Sequence, residues 1–469
     1  MPRSWLAGLR SRLGGSASED GLGILAFEAA AAMSRLVSLH RSLSDEELRR
    51  LRADVLRAEG VARLTSTDQS LLLRLACAEL LADLDRAADA AARLGARCCG
   101  SVAPFLRDFD RAYADAKRGA GLARLDAAVG FSRGAGKRFR KMERHVAATA
   151  KLYAEMDALT ELEASERRME QWMQHSGPIP AQSSKRQQAD EPSEKLMREL
   201  RLQRHKVRRL REGSLWSVAV HKVAKLMAKS VLAVLARVSL AFGAVVPGLP
   251  PPLAGGRTWA LGHSSGPLHQ STMAPDAAIR HSAPIFRQND TASTPSSSLS
   301  IKPPVTTVGG SGMELRYANV ILSAETLLTA LRPAVRDEDV QDGMTELAMR
   351  DELYKMLPVT IRAGVKAELR ERLRGGQQVD EEAATAAVDA VERVLRWLGP
   401  MAHGTLRWHD ERGMERKQRF SMRPRAPMVQ TLHFADRGKA EAAIVEVLVG
   451  LSCVCWYDDQ RRQPADWDD

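Results

Sequence analysis

Residues 25–60 read LAFEAAAAMSRLVSLHRSLSDEELRRLRADVLRAEG, and the spacing of their apolar side chains decides the class of fold. Leu25, Ala29, Ala32, Leu36, Leu39 and Leu43 recur at alternating steps of four and three, which is one face of an α-helix. Ser44 followed by Glu47 has the form of a capping box, in which each side chain serves the other residue's backbone amide. A second helix is therefore expected there, with Leu48, Leu51 and Val55 facing inward and Gly60 ending it.

The pattern extends in both composition and sequence. Ser66 with Gln69 repeats the capping device, and Leu73, Cys77, Leu80, Leu84, Ala87, Ala91 and Leu94 carry a third stripe up to Gly95. Phe105, Phe109 and Tyr113 mark another helix, and Phe139, Met142, Val146, Tyr153 and Met156 a longer one. Aromatic residues are only 5%, while Ala, Leu and Arg dominate, and these lose little on entering a helix. Strand-like alternation of β-branched residues is almost absent. The expected fold is all-α: helical bundle domains separated by a long disordered linker rich in Pro, Gly and Ser.

Composition shifts place the boundaries. A flexible N-terminus (1–20) precedes an N-terminal helical domain (21–100) and middle helices (101–176). A polar, Pro-containing linker follows (177–192), then a basic and an apolar long helix (193–246). Residues 247–312 include Pro250-Pro251-Pro252 and Ser296-Ser297-Ser298, too polar to order themselves. The C-terminal helical domain (313–457) opens with Tyr317, Ile321, Ala324, Leu328 and Leu331 as one stripe, stopped by Pro333. Pro358 stands at a first helical turn before Ile361, Val365, Leu369 and Leu373. Asp380 caps a helix whose Ala384, Val388, Val391, Leu395 and Leu398 face a core until Gly399-Pro400. Ile444, Leu448, Leu451 and Cys455 mark the last helix, and an acidic, frayed tail (458–469) ends the chain.

With 469 residues, 44% of them hydrophobic and 27% charged, the chain falls among ordinary soluble proteins. The formal charge of +11 points to an anionic partner, either nucleic acid, an anionic membrane surface or an acidic protein, or to a solvated Arg-rich surface. Cys77, Cys98, Cys99, Cys453 and Cys455 are an odd, sparse set that fits a reducing compartment. Residues 1–13 lack a continuous apolar core, so no secretory signal is expected.

No catalytic constellation emerges. There is no phosphate-binding glycine loop of the Walker type and no glycine fingerprint after a strand. Gly130-Phe131-Ser132-Arg133-Gly134 has the letters of a nucleophile elbow, but no strand precedes it, and it reads as a loop. Neither cysteine pair has zinc-site spacing, and His403, His409 and His433 lack the paired ligands of a metal site. Carboxylates sit beside Arg or Lys on helices, as solvated ion pairs do. Neither enzyme activity nor a cofactor is expected.

Two features carry more. Between residues 195 and 211, Lys195, Arg198, Arg201, Arg204, Lys206, Arg208, Arg209 and Arg211 stand against a single acid, Glu199. This run suits nuclear import, a nucleic-acid contact or an acidic-lipid contact. The alternative is a solvated helix whose Leu196, Leu200, Val207 and Leu210 pack on a neighbour. Lys137-Arg138-Phe139-Arg140-Lys141 is a shorter cluster with the same alternatives. In residues 215–246, Trp216, Val220, Val223 and Met227 share one helical face, with Lys222, Lys225 and Lys229 opposite. After Ser230 the helix is apolar all round except for Arg237, which would be costly inside a bilayer. A buried core helix is the first reading, an interfacial membrane helix the second and a true span the third.

Several blocks resemble the plant PSK simulator family. Leu25-Ala26-Phe27-Glu28 through Ser42-Leu43-Ser44-Asp45-Glu46-Glu47 is similar to its N-terminal conserved domain. Its second domain resembles Tyr317-Ala318-Asn319-Val320, Arg350-Asp351-Glu352-Leu353-Tyr354 with Leu357-Pro358, and Trp397-Leu398-Gly399-Pro400-Met401-Ala402-His403. A last block runs from Gln430-Thr431-Leu432 through Ala435 to Gly450-Leu451, and Lys141-Met142-Glu143-Arg144 and Ser214-Leu215-Trp216 fit between.

The resemblance implies two conserved plant domains of unknown function and a regulatory, non-enzymatic role in growth promotion, linked to phytosulfokine and brassinosteroid signalling. It carries over no catalytic residue. Some members are nuclear, and others begin Met-Gly and look myristoylated. Pro2 stands here in place of that Gly, so N-myristoylation is not expected, and nucleus or cytoplasm is favoured over peripheral membrane. The expected partners are proteins, with an anionic membrane surface as the alternative and nucleic acid as a third for which the sequence offers no recognisable module.

Overall fold

A computed structural model describes residues 21–98, 104–119, 121–176, 192–253, 302–331, 342–374, 380–413 and 419–462. The expected flexible N-terminus, nearly all of the 177–192 linker, residues 254–301 of the Pro/Gly/Ser tract, Cys99, Pro333 and the last seven residues lie outside them.

The described chain is all-α, its only β-type pairings being the isolated bridges Gly21–Ala219 and Thr307–Asp436. Helix α1 (Leu25–Ser42) follows Gly23, whose φ of 54° turns the chain into it. Alanines at 26, 29, 30 and 32 make α1 slim enough to be buried on most sides. Ser44 Oγ accepts from the Glu47 amide (3.4 Å) and starts α2 (Asp45–Arg50), which loosens into a π-helical turn, Leu51–Val55.

Gly60 does not end this segment. It sits inside α3 (Glu59–Leu64), where a Cβ would lie 2.5 Å from the Trp397 carbonyl oxygen. The glycine is there for a close backbone approach between distant helices, and sequence spacing gives the same letter to both uses. Helix α4 (Gln69–Ala96) is capped by Asp68, which accepts from the Ser70 amide (2.8 Å), and not by the Ser66–Gln69 pair. Ser66 instead accepts from Asp68 N–H, and the Gln69 side chain reaches back to Leu56 O (3.0 Å).

Short helices α5 (Pro104–Arg107), α6 (Phe109–Lys117) and α7 (Leu122–Val129) lead to α8 (Ala135–Ser176), which at 1.5 Å per residue is about 63 Å long. Between α7 and α8, Ser132 donates to Asp126 (2.5 Å) in a turn flanked by the left-handed Gly130 and Gly134, so the elbow-like letters form a loop. Helices α9 (Pro192–Gly213) and α10 (Val220–Phe242) follow, joined by a 3-10 turn at Leu215–Ser217.

Helix α10 is the axis of the first core. Met227, Val231, Leu232, Leu235 and Val238 are wholly buried against α1, α4 and their neighbours. Each is worth about 1.5–3 kcal/mol of burial, enough to make this a core helix with no apolar face left for lipid. Arg237 finds its place at the end of α1, where it donates to Leu43 O (3.0 Å) and pairs with Asp45.

The second core belongs to α11 (Glu314–Leu331), α12 (Asp342–Met356), α13 (Val359–Arg374), α14 (Glu381–Arg412) and α15 (Arg437–Arg462). It also takes Val55, Leu56, Val61, Leu64, Leu72, Leu75 and Ala76 from the N-terminal segment. Packing therefore crosses the whole chain, and Asp436 N–H donates to Leu64 O (2.8 Å) at the seam.

Three boundaries differ from those expected. Residues 302–312, read as disordered, are packed: Val308 is buried and its amide donates to Ala435 O (2.9 Å). Helix α14 starts at Asp380 as expected, its carboxylate accepting from Ala383 N–H (2.8 Å), but passes through Gly399-Pro400 to Arg412. Pro400 and Arg396 share the exposed face, so the carbonyl that loses its helical donor can meet water. Finally, α15 continues through Asp458 to Arg462, and Asp459 accepts from Arg350 (2.9 Å), so this part of the acidic tail is not frayed.

Among the described residues, α15 over Arg437–Arg461 is the one helix long and apolar enough to cross a membrane, and 56% of its apolar window is buried in the second core.

Candidate functional site

Two features of the fold bring functional side chains together. The first is a cleft of about 370 Å³ where α1, α2 and α4 meet α14 and residues 424–430. Its floor is a charged network on carboxylates that α4 supplies one turn apart. Glu79 accepts from Trp408 Nε1 (2.8 Å) and the Arg412 guanidinium through one oxygen, and from Met428 N–H (2.8 Å) through the other. Asp83 pairs with Arg86 and Arg425 (3.3 Å), with Arg412 at 3.8 Å. Arg412 also lies over the Trp408 ring at 4.6 Å.

The two acids are tuned in opposite directions. Burial pushes Glu79 above the ordinary carboxylate range, more than Arg412 and the two N–H donors bring it down. Burial acts on Asp83 too, but Arg425, Arg412 and Arg86 outweigh it and hold the carboxyl low. None of these residues stands out in the sequence. The available signal is a pair of acids at i, i+4 on the buried face of the helix, most of whose partners arrive more than 300 residues later.

The second feature is an arm. The distal half of α8 and all of α9 form an antiparallel hairpin, with Val207 buried beside Leu152, Tyr153 and Met156 at its base. The hairpin sorts the basic run. Arg204 pairs with Glu163 and Glu166 (both 3.3 Å), and Lys206 with Glu155 (2.7 Å). Arg211 stacks on Trp216 at 4.7 Å. Arg198, Arg201, Arg208 and Arg209 stay exposed on the outer side of α9, with Lys195 exposed near its start. On the same arm Trp172 of α8 and Leu202 of α9 are 57% and 68% exposed. The Lys222, Lys225 and Lys229 face is split: Lys222 and Lys225 are exposed, while Lys229 donates to Val129 O (2.6 Å) at the end of α7. In the shorter cluster, Phe139 is buried and stacks on His40 at 3.8 Å.

The reactive side chains are tied down. Burial pushes the Cys77 thiol up to about 12 and the Cys455 thiol up to about 11, far from a reactive thiolate. His403 binds Glu325 (2.9 Å) at the surface, apart from the other two histidines. His409 and His433 face one carboxylate oxygen of Glu314 at 3.5 and 3.6 Å. Gly309 covers His433 Nδ1, where even a Cβ would lie 2.6 Å away. Among the described residues no group of three or more His, Cys, Asp or Glu can hold a metal ion.

Burial lowers the pKa of His433 against Glu314, and lowers His40 and His145 as well. The folded state thus favours neutral imidazoles. Their contribution is fully present above the unfolded value of about 6.5 and is lost as pH falls from there through the folded pKa values. The Tm is expected to fall between about pH 7 and pH 5, and the fall to shrink in a His40→Gln/His433→Gln variant, read by circular dichroism. An equal fall in both proteins would show that these imidazoles do not govern it.

Comparison with known proteins fits this geometry. Residues 24–80 match the family model of a domain of unknown function, DUF3475, and residues 307–407 that of a protein of unknown function, DUF668. The cleft lies where these two segments meet. Protein PSK SIMULATOR 1 of Arabidopsis thaliana is 27% identical over 92% of this chain and 55% of its own length. PSK SIMULATOR 3 is 26% identical over 92% and 56%, and PSK SIMULATOR 2 is 24% identical over 96% and 61%. The chain thus spans 55–61% of the length of these curated relatives. No solved structure matches it.

Proposed function

We propose, because the chain belongs to the PSK simulator family, that it is a non-enzymatic regulator of plant growth in phytosulfokine- and brassinosteroid-linked signalling, acting as an adaptor in the nucleus or cytoplasm. The observation that carries the adaptor reading is the arm. Trp172 of α8 and Met197 and Leu202 of α9 are exposed on the arm, which also carries the exposed Arg201, Arg208 and Arg209. Such a mixture of aromatic, aliphatic and Arg side chains is what partner surfaces concentrate. The raised thiols of Cys77 and Cys455 and the ion pairs of Glu79 and Asp83 agree with a regulatory reading.

The test is growth of plants expressing the protein intact or with Arg201→Ala, Arg208→Ala and Arg209→Ala, each as a fluorescent fusion. These three arginines are chosen because Arg204 and Lys206 hold the hairpin together. Promotion of growth by the intact protein, lost in the variant at equal abundance, is the expected result. Full promotion by the variant would sink the adaptor arm, and turnover of a substrate by purified protein would sink the non-enzymatic reading.

The same surface favours a second reading, contact with anionic lipid. Aromatic and aliphatic side chains together with arginines suit a headgroup layer. Flotation with vesicles containing phosphatidylserine, abolished by high salt and by the triple variant, would establish it. Failure to float at low salt would remove it.

A further inference from the structure

The charge gathered at the cleft is not fully matched. Six arginines, Arg35, Arg50, Arg86, Arg407, Arg412 and Arg425, stand here with four carboxylates, Glu47, Glu79, Asp83 and Glu411. Arg35 belongs to the same charge cluster, where Asp83 acts on it against Arg425, Arg86 and Arg412. Its Nε is buried without a hydrogen-bond partner, and burial, aided by Arg425, pushes the guanidinium down to about 10. Gathering like charge away from water destabilises the fold unless an anion is brought to it.

The cavity places such an anion. Arg35 stands one turn before Ser38 and Leu39 on α1, and both of these line the cavity. Arg412 and Arg425 line it too, with Arg50 and Arg407 at its more exposed edge. The rest is largely apolar, with Leu51, Val55, Leu80, Pro400, Pro424 and Pro427. A volume of about 370 Å³ lies in the range of small-molecule sites.

We propose that this cleft binds a small organic anion, a carboxylate or phosphate carried on an apolar body. The anionic group meets the arginines, and the body lies between α2 and the proline-bearing segment at 424–427. The site draws on both halves of the chain, so its ligand would join them. This inference does not rest on the regulatory reading or on the arm.

Isothermal titration of the full chain with 1-naphthyl phosphate and with 1-naphthoate tests it, with 1-naphthol and inorganic phosphate as controls. Saturable one-site binding of at least one naphthyl anion is expected, and which one binds tells phosphate from carboxylate. Binding should weaken tenfold or more in an Arg50→Gln/Arg407→Gln variant, and each control should bind at least tenfold more weakly. Both arginines are more than half exposed, so the variant should fold, and its melting curve checks this. Three results would overturn the proposal: no saturation by either anion up to millimolar concentration, equal binding by the variant, or inorganic phosphate binding as tightly as the naphthyl anions.

Discussion

Replacing Glu79 by alanine is expected to lower the unfolding free energy by about 3–5 kcal/mol, the usual cost of removing one partner of a buried ion pair. The substitution strands the Trp408 indole N–H and the Met428 amide and leaves the Arg412 guanidinium with Asp83, at 3.8 Å, as its remaining carboxylate. A typical domain has only about 5–15 kcal/mol in all, so a large share would go. Both cores meet at this network, so the loss should appear as one earlier urea transition, followed by circular dichroism and tryptophan fluorescence together. Glu59→Ala is the control. Its pair with Arg63 is more than half exposed on both sides and is worth less than about 1 kcal/mol. If the two variants unfold at the same urea concentration, the Glu79 network does not hold the two cores together.

Gly60→Ala is expected to be nearly as damaging although it adds one methyl group. Its Cβ would sit 2.5 Å from Trp397 O and 2.7 Å from Met401 Cγ. The methionine can swing away; the carbonyl belongs to the backbone of α14 and cannot. The helices must separate, at a cost near the upper end of the roughly 1–3 kcal/mol typical of overpacking. In a surface helix the same change would stabilise by up to about 1 kcal/mol, so the sign of the shift in urea midpoint discriminates. A gain in stability would place Gly60 away from the α3–α14 contact.

What the sequence disclosed follows from the range over which each signal acts. The α1 stripe, the Ser44 and Asp380 caps and the burial of α10 were legible, since periodicity and caps involve residues within a few turns. Gly60 and Pro400 misled because each was read by its local habit. Gly60 is needed for a contact with Trp397, and Pro400 is tolerated because Arg396 faces solvent. The basic run of α9 was visible as charge, but not how it divides. That depends on the register of the hairpin, which sets Arg204 and Lys206 against acids of α8 some 40–50 positions earlier. The cleft was invisible, because Glu79 and Asp83 take their meaning from Arg412, Arg425 and Met428.

The second core has a consequence for how the protein is made. Val55, Leu56, Val61, Leu64, Leu72 and Leu75 emerge from the ribosome early, but the helices that cover them begin only after Val308. At roughly 5–20 residues per second, that apolar strip waits on the order of 10–50 s for its cover. During synthesis it is a natural client surface for chaperones. Contacts of such sequence separation are slow to close, so the nascent chain is at its most aggregation-prone before the second half arrives.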